Sequence, residues 1–80
     1  ASDVYKRQVI SIIKGIDERI NMHDFRVVTG PTHTNIIFDV LIPYKFQIQD
    51  DELAARITSQ VRERLGNNYY VVIKVDHSYV

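Results

Sequence analysis

The sequence predicts an α+β two-layer sandwich in the order helix, strand, strand, helix, strand. Two stretches repeat apolar residues at steps of three and four, the period of a helix. Three others alternate apolar and polar residues or are dense in Val, Ile and Tyr, which suits strands. Gly30-Pro31, Pro43 and Gly66 punctuate the chain between them. Two helices of this length cover one face of a three-stranded sheet.

The first helix is expected from Val9, with Val9, Ile13, Ile16 and Ile20 on one face and Ile10 and Ile12 beside it. Gly15 costs that helix roughly 1 kcal/mol relative to Ala, so its stability rests on packing. Asn21 is the expected stop, because Asn tolerates the left-handed cap conformation. Asp24 to Thr29 reads as a strand with Phe25 and Val27 on one face and Arg26 and Val28 on the other. After the Gly30-Pro31 turn, Thr32 to Ile42 is the strongest strand. Ile36, Phe38, Val40 and Ile42 point one way; Ile37, Asp39 and Leu41 point the other. Pro43 ends it, since proline cannot donate to a ladder. The short turn between the two makes a hairpin. Tyr44 to Gln49 connects to a second helix, opened by Asp50 as N-cap, with Asp51 and Glu52 favouring the helix dipole. Leu53, Ile57, Val61 and Leu65 form its apolar stripe, Arg56, Arg62 and Arg64 face solvent, and Gly66 stops it. Tyr69 to Asp76 is the third strand. The mixed-charge opening Asp3-Val4-Tyr5-Lys6-Arg7-Gln8 precedes the clean pattern. Residues 1–8 therefore read either as a leader, foreign to the domain or disordered, or as a native polar start of the helix, and residues 9–80 as a single domain.

Composition narrows the function. The chain has 80 residues, 45% hydrophobic and 25% charged, as soluble globular chains do. Ten basic residues balance ten acidic ones, and a protein living on phosphate contacts usually carries a basic excess. Asp39 and Asp76 on the sheet would also repel a phosphate chain, so no nucleic acid is expected as a partner. The lack of cysteine excludes disulfides, thiolate zinc sites and a cysteine nucleophile. No segment is apolar for long enough to span a membrane, and no signal peptide is visible. Phosphate-loop, nucleophile-elbow and His-Glu-x-x-His motifs are absent, so no catalytic residue is assigned.

The second face of the sheet is expected to lie bare. It carries Val28, Ile37, Leu41, Val72 and Tyr70 among Arg26, Asp39, Lys74 and Asp76. An open apolar face marks an interaction surface, and a two-fold contact with a second copy is its simplest use. Val28, Ile37, Leu41, Val72 and Lys74 are the expected interface residues. His23-Asp24, Asp39 and Asp76-His77 offer imidazole and carboxylate, which suit zinc, manganese or iron. A histidine at a helix–strand junction is also a common structural group, and Asp39 is also read as a polar guard against unwanted strand pairing. His33, in the hairpin turn, is expected to be exposed.

His23-Asp24-Phe25-Arg26-Val27, then Gly30-Pro31-Thr32, Ile37-Phe38-Asp39-Val40, Arg64-Leu65-Gly66 and Ile73-Lys74-Val75-Asp76-His77 follow one another in an order and spacing that resemble a known family. It is the C-terminal cytoplasmic domain of cation diffusion facilitator, or cation efflux, transporters. The likeness runs from about Ile12 to His77. It implies a ferredoxin-like, metallochaperone-like fold and a dimerising domain below a membrane domain of the same transporter, which exports divalent cations by proton exchange. It also implies metal binding near the dimer interface, at His23, Asp39 and Asp76. The chain departs from the family pattern where Asp39 and Lys74 replace frequent histidines and His77 replaces a frequent proline. Carboxylate at position 39 favours harder ions. An ammonium at position 74 is no ligand and repels a cation, so Lys74 paired with Asp39 or Asp76 would give a dimer face independent of metal. Two other readings are a stand-alone ferredoxin-like module that binds a small molecule, for which Gly30-Pro31 is the one candidate loop, and a nucleic-acid module stacking bases on Tyr69 and Tyr70.

Overall fold

A computed structural model describes residues 2–79. The elements are α1 (Ser2–Ile16), β1 (Asn21–Thr29), β2 (Thr34–Ile42), α2 (Asp50–Leu65) and β3 (Tyr69–His77), the order that the sequence predicts. The sheet runs β1-β2-β3, with β1 antiparallel and β3 parallel to β2. The parallel pair requires a crossover, which α2 provides. β2 is therefore central, and its Ile36, Phe38, Val40 and Ile42 are all buried. They meet Val9, Ile12 and Ile13 of α1 and Leu53, Ile57 and Val61 of α2 in one core. Both helices lie on this face of the sheet.

α1 starts at Ser2 rather than at Val9, so residues 2–8 are helical. Tyr5 holds this extension to the sheet. Its hydroxyl is 2.9 Å from that of Tyr69, and the rings lie 5.5 Å apart. The hydrogen bond shared with Tyr5, together with burial, raises the Tyr69 phenol above its ordinary value.

The other end of α1 falls at Ile16, before the expected stop at Asn21. Ile20 keeps the apolar spacing and is fully buried, but it sits beyond the helix. Asp17 explains the break. Its carboxylate accepts from the Arg19 backbone N–H at 2.9 Å and from the guanidinium at 3.0 and 2.8 Å, an arrangement that favours a turn over another helical residue. Lys14 then donates to the carbonyls of Glu18 and Ile20 at 2.9 and 2.7 Å. The Arg19 contacts hold the Asp17 carboxyl down at about 2, against an ordinary 3.8. A depressed acid stabilises the fold above its unfolded value, and that contribution disappears as pH falls from about 4 towards 2. Asp17→Asn should therefore flatten the loss of stability across that window, seen as a shallower fall of the urea midpoint with pH than in the parent chain.

Strand β1 starts at Asn21, earlier than Asp24, and it contains a bulge. His23 pairs with Asp39, and Arg26 pairs with Ile37, so three steps on β1 match two on β2. Asp24 accommodates the extra residue at φ 56, a left-handed conformation that Asp tolerates better than most residues. Met22, Phe25 and Val27 turn inward, whereas His23, Arg26 and Val28 are exposed. Without the bulge, His23 and Arg26 would fall on opposite faces. The Gly30–His33 turn closes with Gly30 N–H donating to the His33 carbonyl at 2.9 Å.

The N-cap of α2 is Gln49, one residue before the expected Asp50; the Leu53 N–H donates to the Gln49 carbonyl at 2.9 Å. At its other end Gly66 takes φ 120, closed to a side chain without strain, and its N–H bonds the Arg62 carbonyl.

Candidate functional site

The face of the sheet away from the helices is uncovered. Register arranges it in four rows across β1, β2 and β3. They run Val28, Asn35, Tyr70; then Arg26, Ile37, Val72; then His23, Asp39, Lys74; then Asn21, Leu41, Asp76. On β2 these positions alternate with the buried residues and on β3 with the half-buried ones, whereas on β1 the bulge at Asp24 interrupts the alternation between His23 and Arg26. Every residue expected at the interface (Val28, Ile37, Leu41, Val72 and Lys74) lies here, with Val28 49% and Val72 53% exposed.

The face divides into two halves. The first two rows are mostly apolar. The last two hold Asp39, Lys74 and Asp76, and Arg26 is the one charged residue in the first two. Lys74 and Asp39 are direct partners across β2 and β3, and His23 stands opposite Asp39 on the other side. The Lys74 ammonium lies 3.7 Å from an Asp76 carboxylate oxygen, two residues along the same strand. Arg26 and Lys74 balance Asp39 and Asp76 in number, so the face as a whole is neutral with His uncharged.

The metal candidates are therefore only partly assembled. His23 and Asp39 are neighbours; Asp76 shares their face one row on, with Lys74 between. His77 points elsewhere, its Nε2 2.8 Å from the Asp50 carboxylate at the start of α2. Among the described residues, no group of three or more His, Asp or Glu side chains could hold a metal ion.

A cluster at the turn end of this face has no signature in the sequence. His33 is not free in solvent. Its ring stacks on Tyr70 at 4.4 Å and 20°, and the Arg62 guanidinium lies 5.3 Å from the Tyr70 ring. Arg62, expected to point outward from α2, is thereby folded around the β3 edge. The three residues lie on three different elements, and only pairing register relates them. No helix among the described residues is long and apolar enough to cross a membrane.

Comparison with known proteins agrees with this architecture. Residues 1–78 match the family described as the cytoplasmic domain of cation efflux proteins. No curated protein matches the sequence. A similar solved structure is the metal-bound C-terminal domain of the CzcD transporter from Thermotoga maritima, 20% identical with a TM-score of 0.71, covering 94% of this chain and 90% of that one. The likeness is one of fold: α+β, two helices on a three-stranded sheet.

Proposed function

The chain belongs to the cytoplasmic-domain family of cation efflux proteins, and from that premise we propose that it is the homodimerising arm of a divalent-cation exporter. On this reading it hangs on the cytoplasmic side of the membrane, joined to the transporter's membrane domain, and does no catalysis. Two copies meet through their uncovered sheet faces. The observation that carries the proposal is the composition of that face: exposed Val28, Tyr70 and Val72 in one half, Asp39, Lys74 and Asp76 in the other, and a net charge of zero over the whole face once Arg26 is counted. Such a surface complements itself under a two-fold axis, because a neutral face presents no net repulsion to its copy.

The size of the patch sets the affinity. Three strands about 4.8 Å apart and seven residues at about 3.3 Å each cover roughly 300–400 Å² in plan. Two such faces, roughly 600–800 Å² in plan, fall below the standard range of specific interfaces, so the isolated domain is expected to dimerise weakly, no tighter than the micromolar range. Tethering to a membrane domain raises the effective concentration and compensates. Sedimentation equilibrium tests this: the 80-residue chain should pass from monomer to dimer in that range, and a strictly monomeric chain at millimolar concentration defeats the proposal.

The Thermotoga maritima domain is described as metal-bound. Zinc, manganese or iron here would fall to His23, Asp39, Asp76 and His77. These residues do not fit a metal within one chain, since Lys74 stands among the first three and His77 is engaged by Asp50.

A further inference from the structure

We infer that Lys74 supplies the positive charge that a divalent cation would otherwise bring to the charged half, so that this domain dimerises without metal. The inference rests on the dimer reading above and goes beyond it by stating what holds the charged half together.

Where a two-fold contact stacks the charged halves on one another, each face without Lys74 would present Asp39 and Asp76 to the same two carboxylates of its copy. That is four negative charges in one contact zone, and like charges brought together out of water oppose association. A divalent cation is one remedy, and a fixed ammonium is another. Lys74 is placed for the second. It is the direct cross-strand partner of Asp39, and its ammonium already lies 3.7 Å from Asp76. Neighbouring strands lie about 4.8 Å apart, within reach of a lysine side chain, so a rotamer change carries the ammonium from one carboxylate to the other. Its side chain is 72% exposed in the single chain, which leaves it free to meet the partner's carboxylates as well as its own. The same ammonium repels a metal ion and donates no lone pair to it. The charged half therefore holds one cation device to the exclusion of the other.

The test is sedimentation equilibrium of the 80-residue chain with chelator, with zinc and with manganese. For the parent chain, the dimer constant should change less than threefold among the three conditions. Lys74→Ala should weaken the dimer at least tenfold, and Lys74→His, which adds an imidazole beside His23, Asp39 and Asp76, should make it zinc-responsive by at least tenfold. Circular dichroism checks that both variants fold. Saturable tightening of the parent dimer by zinc or manganese, lost in His23→Ala, overturns the inference while leaving the dimer reading intact. An undiminished Lys74→Ala dimer, or a Lys74→His chain indifferent to zinc, also overturns it. A parent chain monomeric in all three conditions overturns the dimer reading and this inference together.

Discussion

Phe38→Ala is expected to remove a large part of this domain's stability. Phe38 is fully buried at the middle of β2, between the two helices, and is the largest side chain to be so. Its ring stacks against Phe25 at 6.2 Å, which ties the bulged end of β1 to the core. Truncating a buried Phe typically costs about 3–5 kcal/mol, through lost transfer energy and the cavity left behind. A chain of this length has roughly 4–12 kcal/mol of stability in total. The melting temperature should fall by roughly 15–30 °C, since about 1 kcal/mol moves a domain this small by 4–8 °C. Phe38→Leu should cost much less, because the site stays largely filled. Thermal denaturation followed by circular dichroism measures both. A Phe38→Ala chain melting within about 5 °C of the parent would mean that the core does not close around this ring, and the two-layer assignment would be wrong.

The parts of the fold carried by simple periods are legible in the chain itself. β2 alternates strictly, and Leu53, Ile57 and Val61 repeat every four residues, so the buried set follows directly. Periods mislead where one side chain overrides them. Ile20 extends the apolar spacing of α1, yet Asp17 captures Arg19 and ends the helix first. Asp50, Asp51 and Glu52 all suit a helix start, and composition cannot choose among them; Asp50 is instead committed to His77, 27 positions away. The bulge leaves a faint signal. Met22, Phe25 and Val27 are spaced three then two, which no regular strand allows if all three face inward.

The candidate face shows the same division. Its apolar members follow from alternation alone. The row His23, Asp39, Lys74 does not, because it depends on the bulge on one side and the parallel register on the other. The His33, Tyr70 and Arg62 stack is invisible to pattern for a related reason: it joins a turn, an edge strand and a helix. Sequence patterns report which face a residue takes, whereas pairing register decides which residues meet on it.

Val72→Lys is expected to abolish the dimer while sparing the fold. Val72 is 53% exposed in the single chain, so its replacement removes little from the core and should leave the urea midpoint of the monomer nearly unchanged. In a dimer it lies in the apolar half, in the row with Arg26 and Ile37, and the two-fold axis makes every substitution count twice. The new ammonium would have Arg26 in its row and Lys74 two residues along its strand, while the nearest carboxylate on that strand, Asp76, already faces Lys74. It gains like-charge repulsion and loses water, and the carboxylate one row away, Asp39, is already the direct cross-strand partner of Lys74. We expect the dimer constant to weaken about a hundredfold or more, equivalent to about 2.7 kcal/mol. Part of the defect should return in high salt, because screening acts on the repulsion and not on the lost apolar contact. Val72→Ala separates the two causes: it trims the contact, adds no charge, and should weaken the dimer far less with no salt dependence. If Val72→Lys dimerises like the parent, the two copies do not meet through this face, and an interface along the helices or an edge strand must take its place.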